Sequence, residues 1–258
     1  MKDRLNISLV QSHIYWQNVE KNILHFSNLI SSVKKTDLIL LPEMFNTGFC
    51  PQSKHLAEKM NGKTISWMKD ISKQKKCAIA GSLMVLECGK VYNRLIWISK
   101  KGTISIYDKR HLFSLINEQE FITSGQKRLI VVEEGWRICP LICYDLRFPV
   151  FSRNNENYDV LIYLANWPIQ RIGAWNALLR ARGIENQCYT IGVNRIGKDD
   201  NGISFNGSSK IFSPSGKELL STQKNKETVM QINISMGNLK KIRQKMNFLH
   251  DQDRFIIQ

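Results

Sequence analysis

Short, uninterrupted apolar runs are the feature that most restricts how this chain can fold. Leu38-Ile39-Leu40-Leu41, Ile138-Cys139-Pro140-Leu141-Ile142 and Val160-Leu161-Ile162-Tyr163-Leu164-Ala165 show no polar alternation. Runs of this length read as short buried strands, and buried strands need covering layers. Longer stretches with helical spacing lie before, between and after them, at 15–33, 64–76 and 175–187. Many strands with few, long helices predict layered α/β sheets covered by helices. No linker, low-complexity segment or short repeat divides the chain, so residues 1–258 are read as one domain.

Further strands are expected at 6–10, 77–85, 91–99, 103–107, 129–132, 189–194, 209–212 and 229–234. Lys100-Lys101-Gly102 reads as a hairpin turn and Ser213-Pro214-Ser215-Gly216 as another turn. Ser235 is placed to cap a last helix that runs to Met246. Residues 247–258 show no clear pattern and are expected to pack on a partner subunit.

The start of the chain has no long apolar core and no small-residue cleavage site, which argues against a secretory signal. No stretch approaches the ~18 apolar residues of a membrane span. A cytoplasmic, soluble protein is expected, with no membrane partner. Cysteines 50, 77, 88, 139, 143 and 188 form no C-x-x-C pair and have no matching histidine cluster. Neither a metal site nor a disulfide framework is predicted. The net charge of +15 invites a nucleic-acid reading. The lysines and arginines are scattered in short groups on helix faces and turns, however, and no groove-reading motif accompanies them.

Three apolar runs end in a residue capable of chemistry: Glu43, Lys109 and Cys143. Strand ends are where layered α/β folds gather ligands. Cys143 stands where a strand passes into an amphipathic segment, beside the first free N–H groups of a helix. That setting is expected to lower its thiol pKa. A cysteine nucleophile needs a base to take its proton and return it to a leaving amine, which a desolvated carboxylate can do. The tetrahedral intermediate needs a cation or N–H donors at its oxygen, which Lys109 and the backbone N–H of Tyr144 can supply. The set suits acyl transfer from nitrogen through a thioester. A Cys–His mechanism has only His13, His25, His55, His111 and His250 to draw on, and only His111 has a distinctive setting.

Leu41-Pro42-Glu43, Tyr107-Asp108-Lys109-Arg110-His111-Leu112-Phe113 and Cys143-Tyr144-Asp145-Leu146-Arg147-Phe148-Pro149 resemble the three signatures of the nitrilase superfamily of carbon–nitrogen hydrolases. Their order and approximate spacing agree with that family. The resemblance continues through Ala165-Asn166-Trp167-Pro168, 181–187 and 207–216, and so covers nearly the whole chain. It implies a four-layer αββα sandwich that commonly dimerises into a larger layered assembly, as a homodimer or higher homo-oligomer. It also implies Glu43 as general base, Lys109 as oxyanion stabiliser, Cys143 as nucleophile, and no cofactor. A second glutamate is usual between lysine and cysteine. Glu118 fits by its offset from Gly125, and Glu120 lies close by. Its implied role is to hold Lys109 charged.

Within the superfamily, Asn117-Glu118 and the segments around Cys143 and Trp167 are most similar to the omega-amidase (YafV-like) branch. This implies hydrolysis of the terminal amide of 2-oxoglutaramate or 2-oxosuccinamate, with a small anionic amide as the partner molecule. Other small amides, ureido acids or nitriles are the alternatives, as is a catalytically silent binding protein. The substrate carboxylate needs a cation, and Arg147, Arg171 and Arg195 are candidates. Phe45 and Trp167 either line the pocket or pack in the core. Asp145 and Arg147 are expected to form an ion pair beneath the nucleophile.

Overall fold

In a strand, successive side chains point to opposite faces, so an apolar run can feed two cores at once. In strand β2 (Leu38–Leu40), Leu38 and Leu40 enter the core between two sheets, whereas Ile39 and the following Leu41 enter a second core beneath helices. The structure is a computed structural model that describes residues 2–253, 255 and 256. Its first sheet also contains β1 (Arg4–Gln11), β3 (Ala78–Glu87), β4 (Lys90–Ile98) and β5 (Ile104–Asp108). Helices α1 (Val19–Ser31) and α2 (Lys63–Lys75) cover its outer face.

The second sheet holds β6 (Val131–Glu133), β7 (Trp136–Ile142), β8 (Val160–Ala165) and β9 (Tyr189–Asn194). A short helix α3 (Pro149–Ser152) follows β7, and the longer α4 (Ile172–Glu185) lies between β8 and β9. A separate hairpin is formed by β10 (Ile196–Lys198) and β11 (Ser204–Asn206). Strands β12 (Lys210–Phe212) and β13 (Glu218–Ser221) complete the second sheet. Strand β14 (Thr228–Ser235) returns to the first, and α5 (Met236–Lys245) closes the regular structure.

The sheet orders are β14-β1-β2-β3-β4-β5 and β6-β7-β8-β9-β12-β13. Along each, the pairings run antiparallel, parallel, parallel, antiparallel, antiparallel. The two halves therefore share one plan, with β1 and β2 matching β7 and β8. Helices outside, sheets inside: this is the four-layer αββα sandwich expected from the family resemblance. Helix α4 sits close on β9 because Gly192 leaves room. A Cβ there would come within 2.4 Å of Leu179 and 2.5 Å of Trp175.

The first helix is shorter than the apolar spacing predicts. Asn18 accepts a hydrogen bond from the Lys21 N–H and caps the helix, so Tyr15–Gln17 stay outside it. Ser235 caps α5 in the same way, as expected. The β10–β11 hairpin and β13 carry too few apolar residues for the period to announce them. In the C-terminal tail, Phe248–Asp251 form a single 3-10 turn. Residues 254, 257 and 258 lie outside the described residues. Among those described, no helix is long and apolar enough to cross a membrane.

Candidate active site

The ends of β2, β5, β7 and β8 open into one cleft of about 290 Å³. Glu43, Lys109, Cys143 and Asn166 line its floor. Lys109, Cys143 and Asn166 each follow a strand directly and Glu43 comes three residues after β2, so rigid sheet backbone sets their positions.

After β2 the chain turns at Met44, which has a positive φ of 42° and donates its N–H to Ser82 Oγ on β3. This turn leaves the Glu43 carboxylate in the cleft and sends Phe45 the other way. Phe45 packs edge-on to Phe26 and beside Trp67 in the helix-side core. It does not line the cleft, so of its two expected roles it has the packing one.

Lys109 Nζ is the hub of the charge network. It donates to Glu43 Oε1 at 3.0 Å and to both oxygens of Glu118, at 3.1 and 3.0 Å. All three side chains are almost completely shielded from solvent. Burial pulls the Lys109 ammonium down, but the Glu118 and Glu43 carboxylates outweigh it and hold the group above an ordinary lysine. It is a fixed positive charge at any physiological pH. Burial and Glu43 together push Glu118 upward against the pull of Lys109. The Phe113 N–H fixes Glu118 Oε2 at 2.6 Å. Glu120 is exposed at the surface, so Glu118 is the glutamate that meets the lysine. Gly125 pins the backbone here: its N–H bonds the Lys109 carbonyl, and a Cβ would lie 2.1 Å from the Asp108 oxygen.

Cys143 has a φ of 40° and begins a 3-10 turn, Cys143–Arg147, rather than a regular helix. A residue with a Cβ adopts this conformation at a cost, so the surroundings must hold it there. The buried Asp145 carboxylate does so with four donors. It accepts the Ile142 N–H at 3.0 Å, Tyr107 Oη at 2.6 Å, the His111 N–H at 3.0 Å and His111 Nδ1 at 2.8 Å. Asp145 thus ties the cysteine turn to the segment that carries Lys109. The expected Asp145–Arg147 pair is not formed. Arg147 instead lies over the Trp167 ring, 5.1 Å from its centroid.

The thiol pKa moves opposite to expectation. Burial pushes Cys143 well above an ordinary cysteine, the Glu43 carboxylate raises it further, and Lys109 only partly opposes them. A five-residue 3-10 turn supplies little dipole to counter this. The resting group is a neutral thiol beside a base. The N–H of Tyr144, second in the turn, is among the groups such a turn leaves without an internal partner.

The outer cleft is lined by Phe49, Phe113, Tyr144, Arg147, Trp167, Arg171 and the tip of the β10–β11 hairpin, among others. Arg171 lies over Phe113 at 5.2 Å, so both cleft arginines rest on aromatic faces. Trp167 is fixed by its N–H on Asn194 Oδ1 at 2.8 Å and by its indole on the Arg171 carbonyl at 2.8 Å. Arg195 does not reach the cleft. Its guanidinium bonds the Ile14 and Ile196 carbonyls and lies over Phe205, and burial lowers its pKa to about 10. It is a buried tie between loops.

Two asparagines were not singled out by sequence reasoning. Asn166 gives its N–H to Glu43 Oε2 at 2.9 Å and its Nδ2 to the Glu43 carbonyl at 2.6 Å. Asn93 gives its Nδ2 to Glu43 Oε1 at 2.9 Å. The polar pair Asn93-Arg94 between Val91-Tyr92 and Leu95-Ile96-Trp97-Ile98 in β4 was the available signal for Asn93.

The carbon-nitrogen hydrolase family profile matches residues 6–244 of this chain. Omega-amidase YafV of Escherichia coli strain K12 is 39% identical over 97% of this chain and 98% of its own length. The 2-oxoglutaramate amidase of Bacillus subtilis is 31% identical over 95% and 96%. The crystal structure of XC1258 from Xanthomonas campestris, a CN-hydrolase superfamily protein with an arsenic adduct in its active site, superposes with a TM-score of 0.97. It shares 37% identity and covers all of both chains. With the family profile spanning both sheets and all four cleft-forming strand ends, the chain belongs to the carbon-nitrogen hydrolase family.

Proposed function

We propose that this protein is an omega-amidase, which hydrolyses the terminal carboxamide of 2-oxoglutaramate or 2-oxosuccinamate. One observation carries the reading: a thiol, a carboxylate and a locked ammonium share the floor of a cleft whose outer wall holds Arg147 and Arg171. The identity to YafV and to the Bacillus subtilis 2-oxoglutaramate amidase supports the same substrate class.

Cys143 Sγ attacks the amide carbon while Glu43 takes the thiol proton. Lys109 Nζ and the Tyr144 N–H stabilise the oxyanion. Glu43 returns the proton to nitrogen, the C–N bond breaks and ammonia leaves a thioester. Water, deprotonated by Glu43, then attacks the thioester; the C–S bond breaks and the thiol recovers its proton. Because the thiol starts neutral, proton transfer to Glu43 accompanies attack rather than preceding it.

The distal carboxylate and 2-oxo group of the substrate meet the arginine wall. Loss of a charge-assisted hydrogen bond costs about 1.5–3 kcal/mol. Arg147→Ala or Arg171→Ala is therefore expected to raise KM for 2-oxoglutaramate roughly 10- to 100-fold, while a neutral aliphatic amide is hydrolysed as by the parent. Ammonia release across 2-oxo acid amides, glutamine, ureido acids and nitriles checks both points. Preference for an uncharged amide or a nitrile would overturn the substrate assignment.

We further propose that the enzyme works in the cytoplasm as a homodimer. Exposed Val150, Ile169 and Ile184 around α3 and α4 give a second copy apolar side chains to cover. Light scattering should return twice the chain mass; a single-chain mass at micromolar concentration would refute it.

A further inference from the structure

A carboxylate has room for about four hydrogen bonds, two on each oxygen. On Glu43, Oε1 is filled by Lys109 Nζ at 3.0 Å and Asn93 Nδ2 at 2.9 Å. Oε2 accepts the Asn166 N–H at 2.9 Å, which leaves it a lone pair for the Cys143 thiol that hydrogen-bonds this carboxylate. The two oxygens are therefore not equivalent, and Asn93 makes part of the difference.

Asn93 sits in the middle of β4, fully buried, and does not line the cleft. Its backbone carbonyl accepts the Lys109 N–H at 3.0 Å, so one residue holds both the base and the strand end that carries the lysine. The next residue, Arg94, grips both oxygens of Asp108 at 2.7 and 2.9 Å, just before Lys109. Yet Asn93 Oδ1 is buried with no hydrogen-bond partner among the described residues. Leaving a buried acceptor unpaired costs about 1–3 kcal/mol, and an apolar residue in this strand would avoid it. The cost is explained if the amide N–H on Glu43 is what the position requires. A neutral donor also fills Oε1 without adding charge to a site already balanced by Lys109.

We propose that Asn93 is a positioning residue that occupies Oε1 of Glu43, so that the Cys143 proton passes to and from Oε2 alone. The proposal rests on the reading of Glu43 as the base. The charged or titratable groups around that carboxylate are Lys109 from the end of β5, Glu118 behind it and the Cys143 thiol after β7. Lys109 is already bonded to Oε1 and so leaves the Asn93 donor site for Asn93.

The test compares purified Asn93→Leu and Asn93→Asp with the parent. Asn93→Leu should lose about 10- to 100-fold in kcat with KM within about twofold, the signature of a misdirected base. Iodoacetamide labelling of Cys143, followed by peptide mass spectrometry, should slow by a similar factor. Asn93→Asp should outperform Asn93→Leu wherever the new carboxyl, pushed upward by burial and by the facing Glu43, keeps its proton and donates to Oε1, and should fall to the Asn93→Leu level as pH rises. A kcat for Asn93→Leu within twofold of the parent would overturn the proposal. So would an Asn93→Asp variant whose activity tracks Asn93→Leu at every pH. If Asn93→Leu fails to fold, the near-isosteric Asp variant decides. If the parent does not hydrolyse 2-oxo acid amides, the substrate assignment alone fails, since the labelling ratio needs no substrate.

Discussion

Cys143→Ala is expected to reduce ammonia release by at least ~10³-fold, as removal of a covalent nucleophile does elsewhere, while leaving the fold in place. The side chain is only partly exposed, and its hydrogen-bonding neighbours, Glu43 and the Asn166 N–H, are held to each other as well. The turn is held by Asp145, whose four donors come from Ile142, Tyr107 and His111. Unfolding midpoints of parent and variant should therefore nearly coincide. Mass spectrometry of the quenched parent reaction should show an acyl adduct on Cys143, and the variant none. A folded Cys143→Ala enzyme that kept substantial activity would sink the thioester mechanism.

Lys109→Met should be damaging in two separable ways. The first is stability, because removing the ammonium strands Glu43 and Glu118 as buried carboxylates, at a cost on the order of 3–5 kcal/mol. The sign with pH is definite. The Lys109 pKa is higher in the folded protein than in the unfolded chain, so its stabilisation is complete below the ordinary lysine pKa. It is lost only as pH rises through the raised folded value. The parent thus carries all of it at neutral pH, and Lys109→Met forfeits it there. The second is rate, because the oxyanion loses its cation, worth about 3 kcal/mol or more. The double variant Lys109→Met/Glu118→Gln removes one stranded charge and should recover much of the stability measured by denaturant unfolding. It should recover none of the activity. A double variant as active as the parent would show that Lys109 serves the carboxylates and not the reaction.

Which parts of this molecule are legible in the sequence follows from how local their causes are. Strands β7, β8 and β9 are legible almost to the residue because apolar residues dominate them and nearly every position on both faces is buried. Glu43, Lys109 and Cys143 stand out because each ends such a run, and the structure brings the three to one cleft. The role of Phe45 depends on a single positive φ at Met44, which no periodicity encodes. Arg195 looked like any other cation after a strand. Only the fold shows that it turns inward to the Ile14 carbonyl, far away in sequence. Asp145 was given the wrong partner for the same reason: Tyr107 and His111 approach it through tertiary packing, whereas Arg147 is near only along the chain. The thiol pKa failed differently. Sequence suggested a helix dipole; the structure supplies desolvation and a neighbouring carboxylate, both of the opposite sign.

The shared plan of the two sheets has a consequence for when the chain becomes an active enzyme. Glu43 and Lys109 come from the ends of β2 and β5 in one sheet, and Cys143 and Asn166 from β7 and β8 in the other. No half of the molecule holds base, cation and sulfur together. A nascent or partly melted chain with one sheet formed therefore carries a cysteine without its machinery. Turnover switches on only at the docking of the halves, which makes amidase activity, rather than thiol labelling, a clock for the last step of assembly.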